Sequence, residues 1–292
     1  MQMCIQVSKH TNPRGKTMKK VLLATSALFL TAGVASAEIT FSGTAGAGIV
    51  QNGTGADTTV WSGVDINIAA SATTDGGVTI SMADDIGGGN LIDWNDDYAV
   101  DAQGTAIGAP AVTVKSGALT VTFDDNAIDH LDSDAVAGDL SVNTTMGGLT
   151  LSVVVDVDQS SGTDMSYKLG YAAGDLTVGY TAQDDSSKLS ASYKVGDMTV
   201  GVSSDDNGAG VTTNEASVSY TAGNVTLKGA ADDQDGWDLD VAYSVGAISV
   251  AYGTDESEEW DLNASYDLGG GVAAKASLTS GDFMAAGLTF AF

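Results

Sequence analysis

The sequence predicts an all-β chain that closes into a membrane-spanning antiparallel barrel of about sixteen strands, or eighteen if every weak strand is counted. Three observations predict it: a repeated hairpin pattern, strands with one apolar and one polar face, and no long apolar helix after the N-terminal segment. A chain that spans a membrane with strands must close its sheet, because open strands would leave unpaired backbone groups in lipid.

Residues 18–37 have the pattern of a secretory signal peptide. Two lysines open the segment, an apolar run follows from Val21 to Ala32, and Ala35-Ser36-Ala37 is a small-residue cleavage pattern. The apolar run is shorter than the ~20 residues that a membrane-spanning helix needs. We therefore expect residues 1–17 to be an upstream extension and residues 38–292 to be the exported barrel domain.

The exported part is strongly acidic. Five of the 11 basic residues and none of the 38 acidic residues precede Glu38, which leaves six lysines, no arginine and a net charge near −32. Such a surface repels nucleic acid, because binding to phosphates needs Lys and Arg. Cys4 precedes the cleavage site and His130 is the only later histidine, so we expect no disulfide, no metal centre, no catalytic residues and no enzyme.

A hairpin unit of roughly 23 residues repeats five times from residue 164 onward, as strand, short turn, strand and acidic loop. Side chains alternate within these strands, as a half-buried strand requires. In the last copy Leu262 and Tyr266 point one way, and Asp261 and Asn263 point the other. A soluble β-sandwich would show the same period, so alternation alone leaves both folds open.

The positions of the aromatic residues separate these two folds. Five tyrosines each lie three residues before the glycine of a short turn, on the apolar face: Tyr171, Tyr193, Tyr220, Tyr243 and Tyr266. Trp237 and Trp260 lie six residues earlier on that face, nearer the acidic loops. Membrane barrels carry such aromatic girdles at their boundaries, with short periplasmic turns and longer external loops. This regularity predicts a membrane barrel with short periplasmic turns and acidic external loops.

The polar face predicts the wall of a lumen, since a charge facing lipid at mid-depth costs about 2–4 kcal/mol. Its charged residues outside the loops include Lys115, Lys168, Lys194, Lys228, Lys275, Asp156, Glu215, Asp238, Asp240, Asp261 and Asp267. With the loops included, acids outnumber lysines along the path. A negative wall concentrates cations and repels anions, so the sequence predicts a cation-preferring pore.

The two ends of the exported chain carry a resemblance. Leu288, Phe290 and Phe292 alternate on the apolar face, and this ending resembles the C-terminal strand by which Gram-negative outer-membrane barrels are recognised for assembly. The segments EITFSGTAGAGIV, TTDGGVTISMADD and YDLGGG resemble those of the alphaproteobacterial, Rhodobacter-type general porins. The resemblance is at the level of pattern over the mature chain, and close only at its two ends and in the hairpin before the acidic loop.

The resemblance implies a homotrimer of sixteen-stranded barrels, each a water-filled pore narrowed by an inward loop whose acids face basic residues on the wall. The matching segment is 124–139, with Asp124, Asp125, Asp129, His130, Asp132, Asp134 and Asp139. This segment is shorter than the family's usual loop, and no arginine follows Glu38 to face it. The earlier loop around Trp94, Asp96 and Asp97 is a candidate for contacts between subunits.

The resemblance further implies passive diffusion of ions and small hydrophilic solutes through the outer membrane. Its expected partners are other copies of the chain, outer-membrane lipid, lipopolysaccharide and the barrel-assembly machinery. No cofactor is expected, although the acidic loops suit loosely bound calcium. Two alternatives stay open: a non-conducting barrel that acts as an adhesin or structural envelope protein, and a soluble secreted β-protein, against which the tyrosines and the C-terminal strand argue.

Overall fold

The protein is described from a computed structural model that covers residues 37–94, 98–159, 162 and 164–292, without the side chains of 133–136. The expected upstream extension and nearly all of the expected signal peptide lie outside these residues. No helix in the described residues is long and apolar enough to cross a membrane.

The described residues form nineteen β-strands. Their bounds are β1 Glu38–Asn52, β2 Thr59–Thr73, β3 Thr79–Ile92, β4 Val100–Ala102, β5 Ala111–Ser116, β6 Leu119–His130, β7 Ser133–Met146, β8 Leu149–Val155, β9 Met165–Ala173, β10 Leu176–Gln183, β11 Ser186–Val195, β12 Met198–Asp206, β13 Thr212–Ala222, β14 Val225–Asp232, β15 Trp237–Val245, β16 Ile248–Asp255, β17 Trp260–Gly269, β18 Val272–Thr279 and β19 Phe283–Ala291.

Eighteen of these strands form one closed antiparallel barrel. Each strand pairs with the next along the chain, β3 pairs with β5, and β19 returns to pair with β1 from Thr44↔Ala291 to Asn52↔Phe283. The short β4 pairs only with the end of β3. The all-β barrel expected from the sequence is confirmed, with the higher of the two strand counts.

The repeated hairpins correspond to β9–β18, and their short turns depend on glycine. Gly174, Gly196, Gly223 and Gly246 have φ values between 58° and 61°. Glycine adopts this left-handed region without the steric cost that a β-carbon brings, as tight two-residue hairpin turns require. At the opposite end of these strands the β12–β13, β14–β15 and β16–β17 connections are longer, and the last two of them are acidic. The β10–β11 connection, expected to be a longer loop, is a turn of two residues, Asp184 and Asp185.

A small hydrophobic core lies on one face of the sheet, where β1, β2, β3 and β19 meet. Among the described residues it consists of Val50, Trp61, Ile92, Phe283 and Ala285, and Trp61 is 1% exposed. This core belongs to the face that also carries the alternating polar residues, since Gly48 pairs with Trp61 and Thr44 pairs with Asp65.

Glycines make room for the indole ring of Trp61. A β-carbon on Gly46 would lie 2.8 Å from Cζ3 of the ring, and one on Gly48 would lie 2.8 Å from Nε1. A β-carbon on Gly287 would lie closer still to Cζ2. The ring therefore lies against the bare backbone of two neighbouring strands, β1 and β19.

Two segments differ from the sequence expectation. The polar stretch 86–108 contains the C-terminal end of β3, which runs to Ile92, and the whole of β4. The segment 124–139, which the resemblance implies to be a loop, is mostly strand, because β6 continues to His130 and β7 begins at Ser133. A register shift between Phe123 and Ile128 separates this outer part of the hairpin from the barrel part. Such bulges kink a strand. A polar loop and a kinked polar hairpin have similar compositions, so composition alone does not separate them.

We expect Gly287→Ala to destabilise the barrel by about 1–3 kcal/mol, because the added methyl group overlaps the Trp61 ring and the neighbouring backbone. Urea unfolding of the vesicle-inserted protein, followed by intrinsic fluorescence, measures the change. Gly229→Ala is the matched control, since its β-carbon would meet nothing nearer than 3.4 Å. Equal stability of the two variants would show that Trp61 does not need the glycine surface.

Candidate functional site

The inner face of the barrel is identified by one segment that crosses it. Trp94 packs edge-on against Trp61 of β2, with ring centroids 5.9 Å apart, and Lys275 of β18 lies 5.8 Å from the Trp94 ring centre. Tyr98 packs on Phe283 of β19 at 6.4 Å. A segment that touches the same face of strands on both sides of the β1–β19 closure lies inside the barrel. We call the described residues 91–94 and 98–103 the inner segment.

Hydrogen bonds hold the inner segment to β17. The Tyr98 hydroxyl donates to Asp261 Oδ2 at 3.1 Å, and the Asn263 side-chain amide donates to both the Tyr98 oxygen and Asp261 Oδ2. Burial raises the pKa of the Tyr98 hydroxyl, and the negative charge of Asp261 raises it further. The hydroxyl therefore keeps its proton at neutral pH and remains a donor to Asp261.

A second element reaches the inner face, namely the outer part of the β6–β7 hairpin, residues 124–139, which we call the hairpin tip. His130 is 2% exposed, and its Nδ1 lies 2.9 Å from Ser166 Oγ on β9. The Leu131 N–H donates to the same oxygen at 3.0 Å. Ser186 of β11 donates to Asp132 Oδ2 at 2.7 Å. Ser166 and Ser186 share the inner face with Lys168, as the pairing of β9, β10 and β11 shows.

The hairpin tip is also tied to the β8–β9 connection. Asp139 accepts hydrogen bonds from the backbone N–H groups of Asn126 at 2.9 Å and of Val157 at 2.7 Å. These bonds join both strands of the tip to the end of β8. The tip is thus an ordered hairpin with side-chain and backbone attachments to its own barrel wall.

The inner segment and the hairpin tip approach the lumen from opposite sides. The inner segment contacts the wall around β19, and the hairpin tip contacts it around β10. In the closed ring of eighteen strands, β19 and β10 are half a circumference apart. The two elements therefore project from opposite parts of the barrel wall.

The inner face carries most of the charged side chains of the wall. Its lysines are placed there by strand pairing, for example Lys228 opposite Asp240, and Lys168 opposite Ser152. The one ion pair among the described residues joins Lys188 Nζ to Asp205 Oδ2 at 3.3 Å. By the same pairing, the inner carboxylates include Asp65, Asp85, Asp205, Glu215, Asp238, Asp240, Asp255, Asp261 and Asp267.

A family model for the Gram-negative porin family matches residues 24–285, which is most of the chain. The chain belongs to the Gram-negative porin family. The porin is therefore an outer-membrane channel protein. No curated protein sequence matches it.

Solved porin structures share the fold. A mutant of the Rh. blastica porin is 16% identical with a TM-score of 0.53, and the match covers 87% of this porin and 100% of that chain. A triple mutant of the Rhodopseudomonas blastica porin is 17% identical with the same TM-score and the same coverage. A porin structure whose organism is not named is 16% identical with a TM-score of 0.51 and again covers 87% and 100%.

The residues expected at a constriction are gathered in the hairpin tip but differ in environment. His130 is buried, Asp132 and Asp139 are half-buried and hydrogen-bonded, and Asp125 and Asp129 are exposed. Asp124 lies half-buried at the bend. The side chain of Asp134 lies outside the described residues.

The expectation that the loop around Trp94 contacts neighbouring subunits is wrong for Trp94 itself. Its ring lies inside its own barrel against Trp61 and Lys275. The two acids expected to accompany it, Asp96 and Asp97, lie outside the described residues. The reason is local: β3 runs past the end of its pairing with β5, so the chain after Ile92 continues along the inner face.

Carboxylates dominate the external end of β15–β17. A cavity of about 440 Å³ there is lined by Asp238, Asp240, Asp255, Glu259 and Asp261. Asp240 and Asp261 lie over Gly253, where a β-carbon would be 3.1 Å and 2.6 Å from their oxygens.

Asp233 lies in the loop after β14 and accepts hydrogen bonds from the side-chain amide and the backbone N–H of Asn214. These bonds lower the pKa of the Asp233 carboxyl.

Three other carboxylates approach one another beside the hairpin tip. Oxygens of Asp139, Asp156 and Asp158 lie within 4.8 Å of one another. Such acidic groups are common on proteins without an ion, so calcium at the acidic loops stays a prediction.

The outer face carries the aromatic residues expected of a girdle. The five turn-proximal tyrosines are between 43% and 49% exposed, and Trp237 and Trp260 are also exposed on this face. Leu288, Phe290 and Phe292 lie on the outer face of the last strand, and the Phe290 and Phe292 rings stack at 5.6 Å. Their roles in the membrane boundary and in assembly stay predictions.

Sequence reasoning missed the inner segment. A signal for it exists in the inner-face glycines Gly46 and Gly48 of β1 and Gly287 of β19, since bare backbone on an inner face leaves room for a bulky partner. Trp61 interrupts the polar face of β2 and supplies that partner. Trp94, the next tryptophan along the chain, then packs on Trp61.

We expect Ser166→Ala to loosen the hairpin tip, because it removes the acceptor of the Leu131 N–H and the partner of His130. Leaving a buried donor unpaired costs about 1–3 kcal/mol. Hydrogen exchange of the Leu131 amide should accelerate by the corresponding factor, about 5- to 150-fold. Ser152→Ala, an inner-face change on β8, should leave this amide unaffected; an unchanged rate in Ser166→Ala contradicts the attachment.

Proposed function

We propose that the porin is a passive diffusion channel for ions and small hydrophilic solutes, that it prefers cations, and that it catalyses no reaction. The observation that carries the cation preference is the excess of carboxylates over lysines on the inner face. Fixed charge of one sign in a narrow aqueous path raises the local concentration of the opposite ion. Cations would therefore be enriched where the path passes between the inner segment and the hairpin tip.

The width of the barrel supports conduction. Barrels of eight strands are filled by side chains, whereas barrels of sixteen to eighteen strands leave an aqueous channel. Eighteen strands place this barrel in the second group. The inner segment and the hairpin tip narrow that channel from two sides.

A second function is favoured by one observation. The hydrophobic core around Trp61 lies inside the barrel and occupies part of the lumen. If this filling extends across the path, the protein would be a non-conducting barrel whose acidic external loops act as an adhesin or a structural surface. Export through a cleaved signal peptide, delivery by the barrel-assembly machinery, and contact with lipid and lipopolysaccharide apply to both functions.

We also propose that the porin assembles as a homotrimer through the outer face of β1–β3. Among the described residues, no tyrosine or tryptophan faces outward on these strands, and small residues such as Ala45, Ser62 and Gly88 do. Asp84 faces outward opposite Ile68. A carboxylate facing lipid is unfavourable, so contact with another copy of the chain suits this sector better than lipid does.

The channel proposal predicts stepwise openings and a cation-selective reversal potential for the refolded chain in a planar bilayer under a salt gradient. The triple change Asp238→Asn, Asp240→Asn and Asp261→Asn should lower the cation-to-anion permeability ratio by about twofold or more, since it removes wall charge that contributes to a potential of several kT.

Asp197→Asn in a periplasmic turn is the control and should change the ratio less. An anion-selective reversal potential in the unmodified protein would contradict the cation preference. Folded, inserted protein without conductance would favour the adhesin or structural function.

The trimer proposal predicts that Ser62→Trp dissociates the oligomer, because the large ring cannot be accommodated between packed barrel walls. Ala216→Trp, on the outer face of β13 among the aromatic residues, should keep the oligomer. Light scattering with size-exclusion chromatography in detergent measures both masses. If both variants remain trimeric, the subunit contact lies elsewhere on the barrel.

A further inference from the structure

A cavity of about 410 Å³ lies between the inner segment and the barrel wall. Its lining includes Thr44, Asp65, Asp93, Trp94, Asp101 and Lys275. Small-molecule sites in proteins have volumes of about 300–1,000 Å³, so this cavity has room for a small solute. It combines carboxylates, one ammonium group and an aromatic ring, which no other cavity described here does.

The charge of Asp93 attracts the ammonium of Lys275, but no carboxylate of the described residues is in direct contact with it. Its Nζ lies 5.8 Å from the centre of the Trp94 ring. No carboxylate oxygen within the described residues lies within 4.0 Å of it, since the only ion pair there is between Lys188 and Asp205. A half-buried charge is stabilised by a partner of opposite sign, so Lys275 can accept a solute carboxylate.

Asp65 offers the complementary group. Its Oδ2 accepts from the Asn67 side-chain amide at 3.3 Å, whereas its Oδ1 is buried and has no hydrogen-bond partner among the described residues. A buried acceptor without a donor is unfavourable. A solute ammonium would supply that donor and would also be attracted by the other carboxylates of the cavity.

We propose that this cavity binds a short zwitterion of dipeptide length, with its carboxylate on Lys275 and its ammonium on Asp65. The inference rests on the proposed channel function, since the solute reaches the cavity through the lumen. A simple anion would meet the repulsion of the surrounding carboxylates. A simple cation would leave Lys275 without an anion in direct contact.

The length of the solute follows from strand pairing. Lys275 is in register with Gly287, Gly48 and Trp61, and Asp65 lies four residues further along β2. Three strand spacings of about 4.8 Å and four residues of about 3.3 Å place the two backbones roughly 20 Å apart along the wall. The two side chains close much of that separation. An α-amino acid, whose two charged groups share one carbon, is too short for the remainder, whereas a dipeptide can span it.

Trp94 supplies the apolar contact for the solute. Its ring lies beside Lys275 and lines the same cavity. An aromatic face favours an apolar side chain over a fully hydrated one. We therefore expect a dipeptide with a leucine side chain to bind better than glycylglycine.

The experiment uses glycyl-leucine and two derivatives that each lack one charge: the N-acetyl dipeptide and the dipeptide amide. Calorimetry on the refolded, detergent-solubilised porin measures binding, and single-channel recording measures interruption of the ion current. We expect the zwitterion to bind about tenfold more tightly than either derivative, the difference expected for one charge-assisted hydrogen bond. Free leucine should bind more weakly than glycyl-leucine.

Two pairs of variants locate the site. Lys275→Gln should reduce glycyl-leucine binding to that of the dipeptide amide, and Asp65→Asn should reduce it to that of the N-acetyl dipeptide. Lys194→Gln and Asp267→Asn, changes of the same kind elsewhere on the inner face, should keep glycyl-leucine binding within about twofold.

Several outcomes overturn the proposal. Equal or tighter binding of the amide would mean that the acidic lumen attracts any cation, and undiminished binding in Lys275→Gln would remove the assigned contact. The comparison of the three peptides needs only the unmodified protein. It therefore still tests the proposal if a variant fails to fold. Conductance without dipeptide binding rejects this site and keeps the channel, whereas binding without conductance rejects the channel and keeps the site.

Discussion

The pairing of β19 with β1 is the constraint on which the rest of the structure depends. Nine residue pairs join the two ends of the chain, from Thr44↔Ala291 to Asn52↔Phe283. Without them the sheet would present two long rows of unpaired N–H and C=O groups, which lipid cannot satisfy. Closure also creates an inside and an outside, and so turns a simple two-residue alternation into a wall that is polar on one side and apolar on the other. The same strands that close the ring carry the glycines against which Trp61 lies.

The two elements that enter the lumen do so by different means. The inner segment is anchored by burial, with Trp61, Phe283 and Ile92 forming a hydrophobic core beneath it. The hairpin tip is anchored by polar contacts to Ser166 and Ser186. An apolar anchor on one side and a hydrogen-bonded anchor on the other leave the aqueous path between them lined mainly by wall residues. Charges on that wall act strongly on a passing ion, because low-dielectric walls focus their field into the aqueous path.

Much of the barrel could be predicted from the sequence because its determinants are local. Alternation within β9–β18, a glycine at each short turn and the acidic loops between hairpins are all readable within about 23 residues. Alternation also assigned each lysine of the wall to one face, as the pairing of Lys228 with Asp240 illustrates. The inner segment escaped prediction because its contacts are distant in the chain: Tyr98 and Asp261 are 163 residues apart. The segment 124–139 was found only through resemblance, and its strand character was missed because a bulged polar hairpin has the composition of a loop.

The packing of the Trp61 ring on glycines restricts which substitutions this sequence can accept during evolution. Gly46, Gly48 and Gly287 are tolerable as strand residues only while the indole covers them, and the indole fits only while they lack β-carbons. A β-carbon on Gly48 would also lie 2.6 Å from Cα of Gly287, and one on Gly287 would lie 2.6 Å from the carbonyl oxygen of Ala47, so these two positions must stay glycine whatever residue stands at 61. A β-carbon on Gly46 would meet the ring before it meets backbone, whose nearest atom is 3.1 Å away. Relatives of this chain should therefore keep Gly48 and Gly287, and an aligned set of such sequences would show positions 46 and 61 changing together.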